Sequence, residues 1–168
     1  DVTVAALPVV FWLPSVLTIS NAFTELGIIH KSLDESGKKS SIDYFKKSIK
    51  IRKKLGWQNG VGWNLKDIAT TYKDLKEIDS AIHYIQKAIA VFKTINDTKE
   101  IGYSYIVLAN LNMQQGNYNK TKIYLTKANK IFIKLNDEKG IIESNVLLSA
   151  VLIMNKNYKE ALPLLEKG

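Results

Sequence analysis

Ser41-Ile42-Asp43-Tyr44-Phe45-Lys46-Lys47-Ser48 returns one period later as Ala81-Ile82-His83-Tyr84-Ile85-Gln86-Lys87-Ala88, and again as Thr121-Lys122-Ile123-Tyr124-Leu125-Thr126-Lys127-Ala128. A fourth copy opens at Ala161-Leu162-Pro163-Leu164-Leu165-Glu166-Lys167-Gly168. The same 40-residue ruler aligns Leu55, Ile95 and Leu135, and it aligns Ile68, Leu108 and Leu148. A period of this length marks a stacked solenoid, in which each unit buries its apolar face only against its neighbours. Such folds mostly present surfaces for binding. The period by itself names no partner.

Within each period the pattern is helix, turn, helix. Thr121, Leu125, Ala128, Phe132 and Leu135 fall at steps of four and three, as do Ala81, Ile85, Ala88, Phe92 and Ile95. That is a single helical stripe and not the alternation of a strand. Turn residues separate the stripes at Gly116-Asn117, Asn96-Asp97 and Asn136-Asp137. The glycine-rich cluster Gly56-Trp57-Gln58-Asn59-Gly60-Val61-Gly62 occupies an inter-repeat position and reads as a linker. It lacks the Lys-Ser/Thr ending of a phosphate loop.

Small residues recur in three columns: Gly27, Ala69, Ala109 and Ser149; Ser41, Ala81, Thr121 and Ala161; Ser48, Ala88, Ala128 and Gly168. They let paired helices approach closely, while Phe23, Leu65 and Tyr105, then Leu26, Ile68, Leu108 and Leu148, fill the space beside them. This arrangement resembles the tetratricopeptide repeat family. Repeat one reads Phe23-x2-Leu26-Gly27-x2-His30 followed by Ser41, Phe45 and Ser48; repeat two reads Leu65-x2-Ile68-Ala69-x2-Tyr72 followed by Ala81, Ile85 and Ala88. Repeat three reads Tyr105-x2-Leu108-Ala109-x2-Asn112, then Gly116, Thr121, Leu125 and Ala128. The period of 40 exceeds the family's commonest value of about 34, which points to its longer-repeat subclass. Repeat one carries two extra residues, read as lying between its helices at 34–39.

The resemblance implies an all-α, right-handed superhelical solenoid of antiparallel helix pairs. Its repeats are 21–60, 61–100, 101–140 and a truncated 141–168, preceded by a separate segment 1–20. It also implies a non-enzymatic scaffold that binds a protein or peptide in a concave groove lined by the first helices. By register, that groove holds Asn21, Thr24, Glu25, Ile28, Lys31 and Ser32 from repeat one. Repeat two contributes Trp63, Lys66, Asp67, Thr70, Lys73 and Asp74, and repeat three Tyr103, Ile106, Val107, Asn110, Met113 and Gln114. Amide and hydroxyl groups suit a peptide backbone, and Trp, Tyr and Met supply adaptable apolar contact. The alternative implied by the longer subclass is a sensor module in a bacterial signalling protein, linked to a kinase or DNA-binding domain.

Two segments depart from the pattern. The helix Val146-Leu147-Leu148-Ser149-Ala150-Val151-Leu152-Ile153-Met154 is apolar on every side, so its own repeat covers only part of it. Val146, Leu147, Val151, Ile153 and Met154 are therefore expected at an apolar interface, covered by further C-terminal repeats or a partner chain. Residues 2–20 contain no charge and approach the length of a membrane span. Pro8 and Pro14 interrupt them, and no basic residue precedes them as a secretory signal requires. A signal or membrane remnant, a packed extension and a foreign segment are the readings open for them. The cytoplasm is the favoured compartment, with export or membrane contact the alternative if 2–20 is a signal or membrane segment.

The formal charge of +8 rests on 24 Lys and Arg, of which Arg52 is the sole arginine. Nucleic-acid readers rely on the forked contacts of Arg, so scattered Lys reads as solvated helix face and no nucleic-acid partner is expected. No cysteine is present, which excludes disulfides and thiol nucleophiles. His30 and His83 lack ligand-spaced companions, and acids such as Asp34, Glu35 and Glu138 sit where helices are capped. Neither a catalytic residue, a metal site nor a cofactor is expected.

Overall fold

The computed structural model describes residues 13–165. Among the described residues eight helices follow one another: α1 (Leu13–Lys31), α2 (Glu35–Lys54), α3 (Gln58–Asp74), α4 (Ile78–Thr94), α5 (Thr98–Gln114), α6 (Tyr118–Leu135), α7 (Glu138–Met154) and α8 (Tyr158–Leu165). They pack as the pairs α1–α2, α3–α4, α5–α6 and α7–α8, and each pair stacks on the next. First helices also touch one another, α3 with α5 and α5 with α7, whereas among the described residues no second helix makes comparable contact with another second helix. The first helices therefore line the inner side. Of residues 2–20, those before Leu13 lie outside the described residues, and those from Leu13 onward form the start of α1 without a break. No described helix is long and apolar enough to cross a membrane.

The connections reveal a finer rhythm. Gly56, Lys76, Asn96, Gly116, Asn136 and Lys156 all adopt positive φ, between 52° and 74°. At each, the next residue's N–H reaches back to close the helix end: Trp57 to Arg52 O, Glu77 to Tyr72 O, Asp97 to Phe92 O, Asn117 to Asn112 O, Asp137 to Phe132 O and Asn157 to Leu152 O. These are Schellman closures, which favour a left-handed residue after the last helical turn. Glycine and asparagine tolerate that conformation; Lys76 and Lys156 occupy it without any turn character in their chemistry.

Three local expectations change. Only Gly56 of the glycine-rich cluster sits in a turn; Gly60 and Gly62 lie inside α3. A Cβ at Gly62 would collide with the Phe92 ring, and one at Gly60 with the Arg52 side chain at 2.8 Å. These glycines serve close helix packing. The extra residues of repeat one lengthen α2 instead of the loop: its cap is Asp34, whose carboxylate accepts the Gly37 N–H at 2.9 Å. Finally, Leu26 does not fill a core gap. It is 37% exposed, whereas its counterparts Ile68, Leu108 and Leu148 are buried.

Two apolar clusters run through the array, one centred on Phe45, Ile68, Ile85 and Phe92, the other on Leu125, Phe132, Val151 and Leu152. At the α1–α2–α3 junction the core is polar. Arg52, 4% exposed, donates to Gly60 O at 2.9 Å, Asn64 Oδ1 at 2.8 Å and Asn21 Oδ1 at 3.1 Å. Its guanidinium also stacks 4.5 Å from the Trp57 ring. Thr24 joins this junction through Ser48 and Asn64. The only arginine is thus a buried clamp between helices.

Candidate binding groove

The groove face follows from helix periodicity. Positions 63, 66, 67, 70, 73 and 74 fall along one side of α3, facing away from the buried column Leu65, Ile68 and Ala69. Polar side chains on that side reach across to neighbouring first helices. Lys31 on α1 donates to Thr70 Oγ1 on α3. Lys66 on α3 meets Glu100 on α5 with Nζ and Oε2 2.6 Å apart. Lys73 Nζ lies 3.8 Å from the carboxylate of its neighbour Asp74. Trp63 is 41% exposed and meets Trp57 edge-on with centroids 6.3 Å apart.

Asp67 sits among these groups half-buried. Burial raises its carboxyl above the usual carboxylate range, although Lys31, Lys66 and Arg52 pull the other way. Burial in turn lowers the Lys31 ammonium, opposed by Asp67 and Asp74. The half of the groove formed by α1 and α3 therefore carries closely spaced charges of both signs in a partly desolvated setting, where their fields are weakly screened.

The expected positions separate in repeat three. Asn110 and Met113 are half-buried and Gln114 is exposed. Tyr103 is held instead where α5 meets α6 and the start of α7: its hydroxyl donates to the Asp137 carboxylate at 3.4 Å, and its ring lies 4.8 Å from that of Phe132. Ile106 is only 3% exposed and belongs to the core, because α7 closes over that side of α5. Asn21 reaches the groove edge but accepts from Arg52.

In repeat four, two periods beyond 66, 67, 70, 73 and 74, the same face carries Val146, Leu147, Ala150, Ile153 and Met154. Val146, Ile153 and Met154 are exposed by 52%, 43% and 55%, and Leu147 is half-buried. Val151 lies on the opposite side, fully buried in the core, so it packs within the array and is not part of the exposed patch. The helix that reads as apolar all round thus divides into a core stripe and a groove stripe. The groove runs from charged at α1–α3 to apolar at α7.

Glu100 and Asp137 are partners that register alone does not identify. Each lies near the start of a first helix and pairs with a side chain one repeat earlier. The chance to find them lay in counting roughly one helix pair of separation between opposite or complementary groups. Among the described residues no group of three or more His, Cys, Asp or Glu is placed to hold a metal ion. His30 lies 4.9 Å from the Tyr44 ring, in the column that repeat two fills with Tyr72 against Tyr84. His83 is exposed beside Tyr84.

Comparison with known proteins agrees with this architecture. The tetratricopeptide repeat model matches residues 67–93 and 102–132. Among solved structures, aspartyl phosphate phosphatase F from Bacillus subtilis superposes with a TM-score of 0.83 at 17% identity, over 90% of this chain and 39% of that one. The apo form of RapI superposes with a TM-score of 0.82 at 19% identity, over 91% of this chain and 42% of its own. A Rap protein complexed with competence and sporulation factor gives 0.77 at 15% identity, over 90% and 42%. At these identities the likeness is one of fold, and the chain spans about two fifths of each relative's length. No curated protein matches it in sequence.

Proposed function

We propose, from the premise that this chain is a solenoid of tetratricopeptide repeats, that it is a non-enzymatic scaffold binding an extended or helical segment of a protein or peptide in its concave groove. The observation that carries this reading is the groove's change of character, from charged at Lys31, Lys66 and Asp67 to apolar at Val146, Ile153 and Met154. A ligand with apolar anchors over α7 buries surface that is otherwise wet. A basic group over α3 gives Asp67 the counter-charge that burial makes valuable. One structural relative was solved in complex with competence and sporulation factor, which fits a fold of this kind engaging a partner.

The test is a peptide library against the wild type and against a variant joining Trp63→Ala with Ile153→Asp. Contacts of this kind concentrate binding energy in a few residues. A selected ligand is expected to bind the variant at least about tenfold more weakly. Equal binding to both would remove the groove as the site.

Asp67 supplies a separate check by stability. Its carboxyl is raised in the folded state, so the favourable contribution belongs to the protonated form. It is fully present below the unfolded carboxylate pKa and is lost as pH rises through the folded value. Asp67→Asn is therefore expected to melt higher than the wild type at neutral pH, with the difference closing in acid. Thermal melts at neutral and acidic pH measure it, and a variant less stable at neutral pH would mean that the lysines dominate.

A second reading, a sensor module of a longer bacterial signalling protein linked to a kinase or DNA-binding domain, draws on one observation: the structural relatives extend well beyond the part matched here. The full reading frame of the gene decides it.

A further inference from the structure

The surplus of positive charge is not spread over the molecule. The outer helices α2, α4 and α6 carry 15 Lys and Arg against 3 Asp and Glu, whereas the inner helices α1, α3, α5 and α7 carry 5 against 6. On the inner side cations come with acids beside them, as in Lys66-Asp67, Lys73-Asp74 and Lys99-Glu100. A merely lysine-rich composition would load both sets alike. The formal charge of +8 is therefore a property of one side.

Helix register gathers it further. Positions 46, 47, 50, 53 and 54 fall on one face of α2, and the positions one and two periods later fall on the same face of α4 and α6. Ten of these fifteen are lysine, none is acidic, and all but the half-buried Thr126 are exposed. Among the described residues no ion pair engages any of the ten. α4 is flanked by a helix pair on each side, and its stripe is as bare as those of α2 and α6. The exposure thus belongs to the outer side of the solenoid and not to either end of the array.

The chemistry selects among polyanions. The one arginine is buried where α1, α2 and α3 meet, so this face has no guanidinium fork for a nucleic-acid phosphate. Nor, among the described residues, does it offer bases an open stacking platform. Tyr84 and Tyr124 at its edge are already stacked on Tyr72 and Tyr105, with Lys87 and Lys127 over their rings. What remains is a broad set of ammonium groups without counter-charges, whose fields add without exact registry over a Debye length of about 8 Å. Two isoleucines stand among those of α6, Ile123 exposed by 52% and Ile133 by 55%. Lysines around aliphatic side chains on a helix suit the interface of a bilayer with anionic headgroups.

We infer that the outer face of α2, α4 and α6 docks peripherally on a membrane surface rich in anionic lipid, with no helix of this face crossing the bilayer. Each lysine held near such a surface adds its own increment of attraction, and the inner side is left facing away from the lipid. The inference does not rest on what the groove binds.

The test is sedimentation of the full chain with vesicles of phosphatidylcholine alone or with about 30% phosphatidylglycerol, at physiological salt and at about 0.5 M. Binding is expected only to the anionic vesicles and should fall steeply at the higher salt. Lys46→Glu with Lys50→Glu and Lys130→Glu should weaken it at least about tenfold. A control of equal net charge, Lys76→Glu with Lys139→Glu and Lys156→Glu, lies off the stripe and should weaken it far less. All six positions are exposed, so circular dichroism of both variants should match the wild type. Equal binding to neutral vesicles would overturn the inference, since an apolar contact would then hold the protein. So would equal losses in the two variants, which would reduce the effect to net charge. Failure to bind anionic vesicles would overturn it as well; a labelled oligonucleotide bound by the wild type and lost by the stripe variant would then make nucleic acid the partner.

Discussion

Phe132→Ala is expected to lower the stability of the array by about 3–5 kcal/mol, the range for deleting a fully buried aromatic ring. Phe132 is completely buried and is shared between repeats. A Cβ built on Gly102, in its own helix pair, would stand 2.8 Å from the ring, and one on Gly140 of α7, in the next pair, would collide with it. Tyr103 leans on it as well. Removing the ring therefore opens space on both sides of a repeat boundary, and neighbouring repeats stabilise each other mainly through such boundaries. Urea denaturation should show a lower midpoint and a shallower slope, as α7 and α8 come loose before the rest. The reciprocal change, Gly140→Ala, adds a methyl where no space exists and should cost about 1–3 kcal/mol from overpacking, less about 1 kcal/mol regained from helix propensity. A loss below about 1 kcal/mol for Phe132→Ala would show that the boundary relaxes around the missing ring.

Arg52→Ala is the second large effect, roughly 3 kcal/mol, from hydrogen bonds to a buried charge and the stranding of their acceptors. Gly60 O, Asn64 Oδ1 and Asn21 Oδ1 would lose their donor together. Because the group is buried, the loss should persist in high salt, unlike that of a surface ion pair. Hydrogen exchange should quicken first in α1, whose Asn21 the arginine holds. Simple restoration of the column is not expected to help. Repeats two and three place Phe92 and Phe132 at this position opposite Gly62 and Gly102, whereas the corresponding residue of repeat one is the buried Ser20. Arg52→Phe should therefore destabilise alone and recover when combined with Ser20→Gly. A salt-sensitive or negligible loss for Arg52→Ala, followed by thermal melts, would place the guanidinium in water.

The repeat, its helix pairs and the small-residue columns were legible because each rests on identity of chemistry at fixed spacing. Ala69, Ala81 and Ala88 say small, and the structure buries all three completely. Other features depend on a partner that spacing does not name. Gly60 and Gly62 read as a linker since glycine serves turns and close contacts alike; only the positions of Arg52 and Phe92 decide between them. Arg52 stood out in the sequence only as the sole arginine, with no structural role assigned, yet it is the clamp of the polar junction. Lys76 and Lys156 gave no turn signal because tertiary closure imposes their left-handed backbone.

In the groove, register placed Lys31, Lys66, Asp67 and Thr70 on the inner side. Their pairings, Lys31 with Thr70 and Lys66 with Glu100, join residues nearly a repeat apart. The all-round apolar pattern of α7 concealed that Val151 and Val146 face opposite ways. Hydropathy cannot separate a core stripe from a groove stripe when both are aliphatic.

The six left-handed connections recur at intervals of twenty residues, half the period of the side-chain pattern. Backbone and side chains therefore keep different clocks. Deleting or duplicating forty residues would preserve both, leaving every later helix on its own side of the molecule. An indel of twenty would join cleanly at the backbone but invert all that follows, turning outer helices inward and inner helices outward. Growth or shrinkage of such a gene by recombination is thus constrained to an even number of helices, although every junction is equally easy to make.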